Sequence, residues 1–154
     1  MRGVQLLPRF GLSFDICINH LQLANTIKMV RQCPDVMFML DHIGKPDIKG
    51  GLLDPWKQEL KTLAAMPNTF CKMSGLVNEA DWENWQPRDL KPYIDHVLTC
   101  FGFDRVAFGG DWPVCLLASP YRRWIETLWD ALSGCSEDEL GKLFAGNAER
   151  FYRV

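Results

Sequence analysis

Leu40-Asp41-His42-Ile43-Gly44-Lys45-Pro46 and Phe108-Gly109-Gly110-Asp111-Trp112-Pro113 are the two stretches that decide the fold. Each runs from an apolar, strand-like segment directly into a loop bounded by Gly and Pro. Each also places a residue able to transfer a proton or ligate a metal at the junction. In parallel α/β proteins, active sites are assembled at the carboxyl ends of the strands.

Around these two stretches, strand and helix patterns alternate. Residues 12–18, 36–40, 68–74 and 105–110 are β-rich or continuously apolar, the second as a strand buried on both faces reads. Between them, Leu23, Ile27 and Val30 share a helical face that Pro34 ends, and Trp56, Leu60, Leu63 and Ala64 share another behind Asp54-Pro55, which reads as a cap. A helix over 90–101 carries Pro92 in its first turn and stops at Gly102. Ser119-Pro120 caps a stripe of Trp124, Ile125, Leu128, Trp129 and Leu132, and Ser136 with Glu139 has capping-box spacing before the last helix. Residues 76–89, with Trp82, Trp85 and Pro87, read as a structured loop or short helical turn over the mouth. Units of this kind predict right-handed βαβ crossovers, a parallel sheet and a single α/β domain over residues 1–154.

Composition narrows the function. With 47% hydrophobic and 23% charged residues and a formal net charge of −2, the chain has the balance of a soluble globular protein, with no electrostatic footprint for nucleic acid. No apolar run is long enough for a signal peptide or a membrane span, so the cytosol is the expected location. The six cysteines lack CxxC or paired spacing, and Cys17 and Cys71 fall within apolar strands, so free buried thiols are expected. Motifs for a serine nucleophile elbow, a phosphate loop, a dinucleotide fingerprint or HExxH are missing.

Strand parity indicates which face does chemistry. Asp15, Lys72 and Ser74 alternate with Phe14, Ile16, Cys71 and Met73, so one face packs against helices while the other carries polar groups that need partners or a polar lumen. On that reading Asp111 activates water or binds a metal, against the alternative that it only caps its own turn. His42 ligates a metal, polarises a carbonyl or acts as a general acid, against a plain loop hydrogen bond. Asp41, adjacent to His42, should point away and play a structural part. Lys72 meets a carboxylate such as Asp15 or Asp111, or reaches an anionic substrate, and Lys45 can do the same from its loop. His20 and His96 have no companions. The tryptophans are mostly core by spacing, with Trp112 the exception beside Asp111.

These residues, together with Phe14-Asp15-Ile16-Cys17, Cys71-Lys72-Met73-Ser74-Gly75 and Asn147-Ala148-Glu149-Arg150-Phe151-Tyr152, resemble the amidohydrolase-related family. Within it the resemblance is to sugar lactonases: L-fucono-, L-rhamnono- and pyrone-dicarboxylate lactonases. It implies a TIM (β/α)8 barrel that hydrolyses a cyclic ester, with Asp111 as general base on water and His42 polarising the carbonyl or binding a metal such as zinc. Lys72, Lys45 and Trp112 would contact the sugar lactone. The family's first strand ends in His-x-His, a spacing that none of the three histidines here provides. A barrel of this kind needs roughly 250 residues, so the four strands match the C-terminal half, and the chain reads as a fragment of low activity. Two alternatives are an inactive half-barrel that binds a sugar acid or a partner chain, and a metal-using decarboxylase. Exposed edge strands would favour self-association.

Overall fold

A computed structural model describes all 154 residues. Four strands, β1 (Phe14–Ile16), β2 (Phe38–Leu40), β3 (Thr69–Met73) and β4 (Val106–Phe108), form one sheet in the order β1-β2-β3-β4, every pair parallel. The register is regular: Asp15 lies opposite Met39, Met39 opposite Phe70, and Lys72 opposite Ala107.

The helices are α1 (Arg2–Leu6), α2 (Leu23–Arg31), α3 (Trp56–Ala64), α4 (Leu76–Glu79), α5 (Pro87–Phe101), α6 (Tyr121–Ala131), α7 (Glu137–Gly141) and α8 (Asn147–Tyr152), with a π-helical segment, Lys142–Gly146, between the last two. The expected apolar stripes make the core. Leu23, Ile27 and Val30 of α2, Trp56, Leu60 and Leu63 of α3, and Trp124 and Leu128 of α6 pack with Ile16, Phe38, Leu40, Cys71, Met73 and Val106 of the strands. These strand residues share one parity. The opposite parity forms a second, smaller cluster of Met39, Phe70 and Ala107, covered by Phe151 of α8. Helix α8 is held there because the buried Asn147 amide donates to the carbonyls of Phe103 at 2.6 Å and Val106 at 2.7 Å.

Several local expectations are corrected. Neither Asp54 nor Ser119 caps its helix through the side chain; the helices begin one residue past the following proline. Helix α5 starts three residues early, at Pro87, where Gln86 and Asp89 form the capping box, so Pro92 lies beyond the first turn. The Ser136–Glu139 capping box is present as read. Cys17 is exposed, because β1 ends at Ile16 and the chain has already left the sheet. Trp82 and Trp129 are exposed rather than core, and Trp112, the expected exception, is exposed as well. No helix is long and apolar enough to cross a membrane.

Candidate functional site

At the carboxyl end of β2 the chain does not continue as an extended strand. His42 and Ile43 take left-handed backbone angles (φ 52° and 49°), followed by Lys45 at φ 47°. Asp111, beyond β4, has φ 52°. Four of the five non-glycine residues with positive φ therefore lie in the two loops that the sequence singled out. Such conformations persist only where surrounding structure imposes them, and they concentrate at functional sites.

The left-handed turns bring His42 and Asp111 together. His42 Nδ1 lies 3.9 Å from Asp111 Oδ1 and 2.9 Å from Ser74 Oγ. Both side chains are mostly shielded, 19% and 14% exposed. The approach depends on missing side chains: a Cβ on Gly75 would fall 2.8 Å from His42 Cβ, and one on Gly109 would fall 2.7 Å from Ser74 Cβ. Glycine at each position makes room for the cluster.

The same turn reorients Asp41. Strand alternation would point it away from His42, but β2 has ended at Leu40, and the carboxylate turns into the site. Lys72 Nζ sits 2.5 Å from Asp41 Oδ1 and 3.0 Å from Asp15 Oδ2. At 2.5 Å the Lys72 ammonium is a direct ionic partner of the largely shielded Asp41 carboxylate. Asp15 also accepts from the Tyr152 hydroxyl at 2.5 Å. Lys72 thus meets Asp15 as expected, with Asp41 rather than Asp111 as its second partner. The parity argument holds: Asp15 and Lys72 stand on the face opposite the main core.

These contacts set the charge states. Burial, the largest effect, holds the His42 imidazole below the ordinary histidine range; Asp111 and then Asp41 pull it back up, and Lys45 and Lys72 push it down. His42 is therefore neutral in neutral solution. Burial lowers Lys72, but hydrogen bonding to Asp41, Tyr152 and Asp15 outweighs it and keeps the ammonium firmly charged. Burial, reinforced by the bond to Asp15, raises the Tyr152 phenol to about 12. Lys45 is half-buried and makes no ion pair within 4.0 Å, yet its charge is felt at both His42 and Glu79. Glu79, closing α4, is raised chiefly by burial. Trp112 is 69% exposed beside Asp111.

His20 and His96 are structural, each bonded to a backbone carbonyl, of Lys45 and Lys57 respectively. Sequence reasoning missed Tyr152 and Glu79, whose proximity depends on long-range folding. It also missed the turn of Asp41 and the exposure of Cys17. A side chain of each of Cys17, Asp41 and His42 offers a ligand atom within 4.8 Å of the others.

A parallel sheet with a shielded His–Asp pair at its carboxyl-end loops makes this an α/β protein with a candidate site at the strand ends. Comparison with known proteins places it more narrowly: the amidohydrolase family model matches residues 1–154, and the chain belongs to that family. It is 35% identical over 169 residues to an L-fucono-1,5-lactonase of Burkholderia multivorans, across 99% of this chain and 55% of the relative. It is 25% identical to an L-rhamnono-gamma-lactonase of Scheffersomyces stipitis, across 97% of this chain and 52% of the relative. A solved amidohydrolase structure from Burkholderia multivorans with bound zinc superposes at a TM-score of 0.95, with 34% identity, across 99% of this chain and 56% of that one. The chain therefore spans about half the length of the relatives it matches. Its four parallel strands and their helices correspond to half of a TIM barrel.

Proposed function

We propose that this chain carries the half of a sugar-lactone hydrolase site that holds the general base and the carbonyl-facing histidine. The observation that supports this most is the approach of His42 Nδ1 to within 3.9 Å of Asp111 Oδ1, both shielded and both at strand-end loops. Ring opening of a lactone needs a base to take a proton from water as it attacks the carbonyl, and a donor for the oxyanion that develops. Asp111 is the base. His42, neutral and held at Nδ1 by the Ser74 hydroxyl, offers its Nε2–H to the oxyanion. Lys45, free of an ion pair and close enough for its charge to act on His42, and Trp112, exposed next to Asp111 in sequence, suit a polyhydroxylated, partly anionic ring. Lys72, occupied by two carboxylates, acts on substrate only through that network.

The family and the zinc-bound relative raise the question of a metal. His42 and Asp111 offer two donors, one short of the three protein ligands of an open zinc site. The hydrolytic steps are accordingly derived from side chains alone.

The experiment is a lactone-opening assay of the purified chain on L-fucono- and L-rhamnono-lactones, beside Asp111→Asn. The expected result is slow hydrolysis, lost in the variant, that yields the acid without gas release. Each missing oxyanion donor costs about 3–4 kcal/mol, or 10²–10³ in rate, and no His-x-His is present to supply one. Ordinary turnover would contradict the half-site reading. Equal rates for chain and variant would remove Asp111 from its role and favour a half-barrel that only binds.

A further inference from the structure

Helix α4 is short, but it is held to both strand-end loops of the candidate site. It opens at Gly75, where a Cβ would fall 2.8 Å from His42 Cβ. The Asn78 side-chain amide donates to the Val114 carbonyl at 2.8 Å, in the loop that carries Asp111. The Glu79 carbonyl accepts from the Lys49 amide at 2.9 Å, in the loop that carries His42 and Lys45. The helix is therefore clasped between the loops that follow β2 and β4, and Glu79 is its last residue.

The Glu79 carboxylate differs from the other acidic groups around the mouth. Lys72 occupies Asp15 and Asp41, Asp111 approaches His42, and Asp47 accepts from the Gly50 amide in its own turn. Glu79 is half-buried, yet its carboxylate has neither a hydrogen-bond donor nor an ion-pair partner in the chain. The charges that act on it are those of Lys45, His20, Asp111 and Asp47, which puts it among the same loops. Burial outweighs the pull of Lys45 and His20 and raises its pKa, as befits a carboxylate short of donors.

We propose that Glu79 determines substrate specificity at this site by accepting hydrogen bonds from adjacent hydroxyls on one edge of a sugar ring. The two oxygens of a carboxylate match two neighbouring O–H donors, and bonds to a charged acceptor are the stronger kind. A site built to bond a hydroxyl rejects a ring that lacks it far more sharply than an apolar pocket rejects a missing methylene, because a polar group is left unpaired. Glu79 takes no part in the proton transfers assigned to Asp111 and His42; it reads the ring. The inference rests on the hydrolytic reading above and names the residue through which that site recognises its substrate.

Two measurements test it, the first without catalysis. Binding of L-fucose, a pyranose with the hydroxyls but no ester, to the wild-type 154-residue chain is followed by NMR beside tetrahydropyran, the bare ring. L-fucose should shift the backbone amides of Leu76–Glu79 and tetrahydropyran should not, a result that needs no variant to fold. Glu79→Ala should weaken L-fucose by about 10–100-fold, the worth of hydrogen bonds to a charged group, and Glu79→Gln by less. In the second measurement, kcat/KM for L-fucono-1,5-lactone relative to δ-valerolactone, the same ring without hydroxyls, should fall by a similar factor in Glu79→Ala, mainly through KM. Absence of L-fucose binding, shifts confined to residues away from α4, equal affinity in wild type and Glu79→Ala, or an unchanged ratio of the two lactones would overturn the proposal. L-fucose binding at α4 that depends on Glu79, with neither lactone hydrolysed, would support recognition by Glu79 and contradict the hydrolytic reading alone.

Discussion

His42 shows how far a single residue departs from what its neighbours in sequence suggest. Its place at a strand end was legible from the apolar run that precedes it and the Gly-Lys-Pro that follows. Its partners were only partly so. That Asp111 would lie beside it followed from two strand ends of one parallel sheet. That Asp41 would turn the same way did not, because alternation applies only while the chain is extended, and φ of 52° at His42 ends that regime. Gly75 is the residue on which this geometry leans. At φ 72°, with a substituent placed 2.8 Å from His42 Cβ, Gly75→Ala combines left-handed strain with displacement of the ring. The expected outcome is a loss of about 1–3 kcal/mol in unfolding free energy, with the His42 ring resonances moved from their wild-type positions. Chemical denaturation and NMR check it; a variant with wild-type stability and unmoved His42 signals would contradict the packing described.

Among the elements, the stripes of α2, α3 and α6 were legible because burial of one helical face leaves a 3.6-residue period in the sequence. Caps were less so. Ser136 closes its box with Glu139, but Asp54 and Ser119 do not cap, since the following prolines set the helix starts instead. Helix α8 carries the least obvious information. Within the motif beginning at Asn147, the Asn147 amide ties the helix to the start of β4, Phe151 covers Met39, Phe70 and Ala107, and Tyr152 reaches Asp15. Asn147→Ala leaves the carbonyls of Phe103 and Val106 without that donor. A loss of about 1–3 kcal/mol is expected, with a lowered melting temperature and, because α8 carries Tyr152, perturbed Lys72 and Asp15 resonances. Unchanged thermal unfolding would show that α8 is not anchored through this amide.

For the whole molecule, the sheet order leaves one edge of β1 and one of β4 without a strand partner. Unpaired parallel edges invite another chain. Concentration-dependent self-association is expected in size-exclusion chromatography with light scattering, and a strictly monomeric species at every concentration would contradict it. The correspondence to half a barrel was legible in the order of the five motifs and in the lack of His-x-His. The substrate was not, because the residues proposed to face it, Lys45 and Trp112, are defined by loop conformation and not by period or spacing.

The central claim is that His42 and Asp111 share one electrostatic environment at the mouth of the sheet. Because Asp111 raises the His42 pKa while burial lowers it, removal of the carboxylate leaves burial less opposed. NMR titration of the His42 ring in the chain and in Asp111→Asn measures this directly. The wild-type ring should titrate below the ordinary histidine range, and the ring in the variant at a still lower pH. A His42 midpoint that is unchanged or higher in Asp111→Asn would contradict the account.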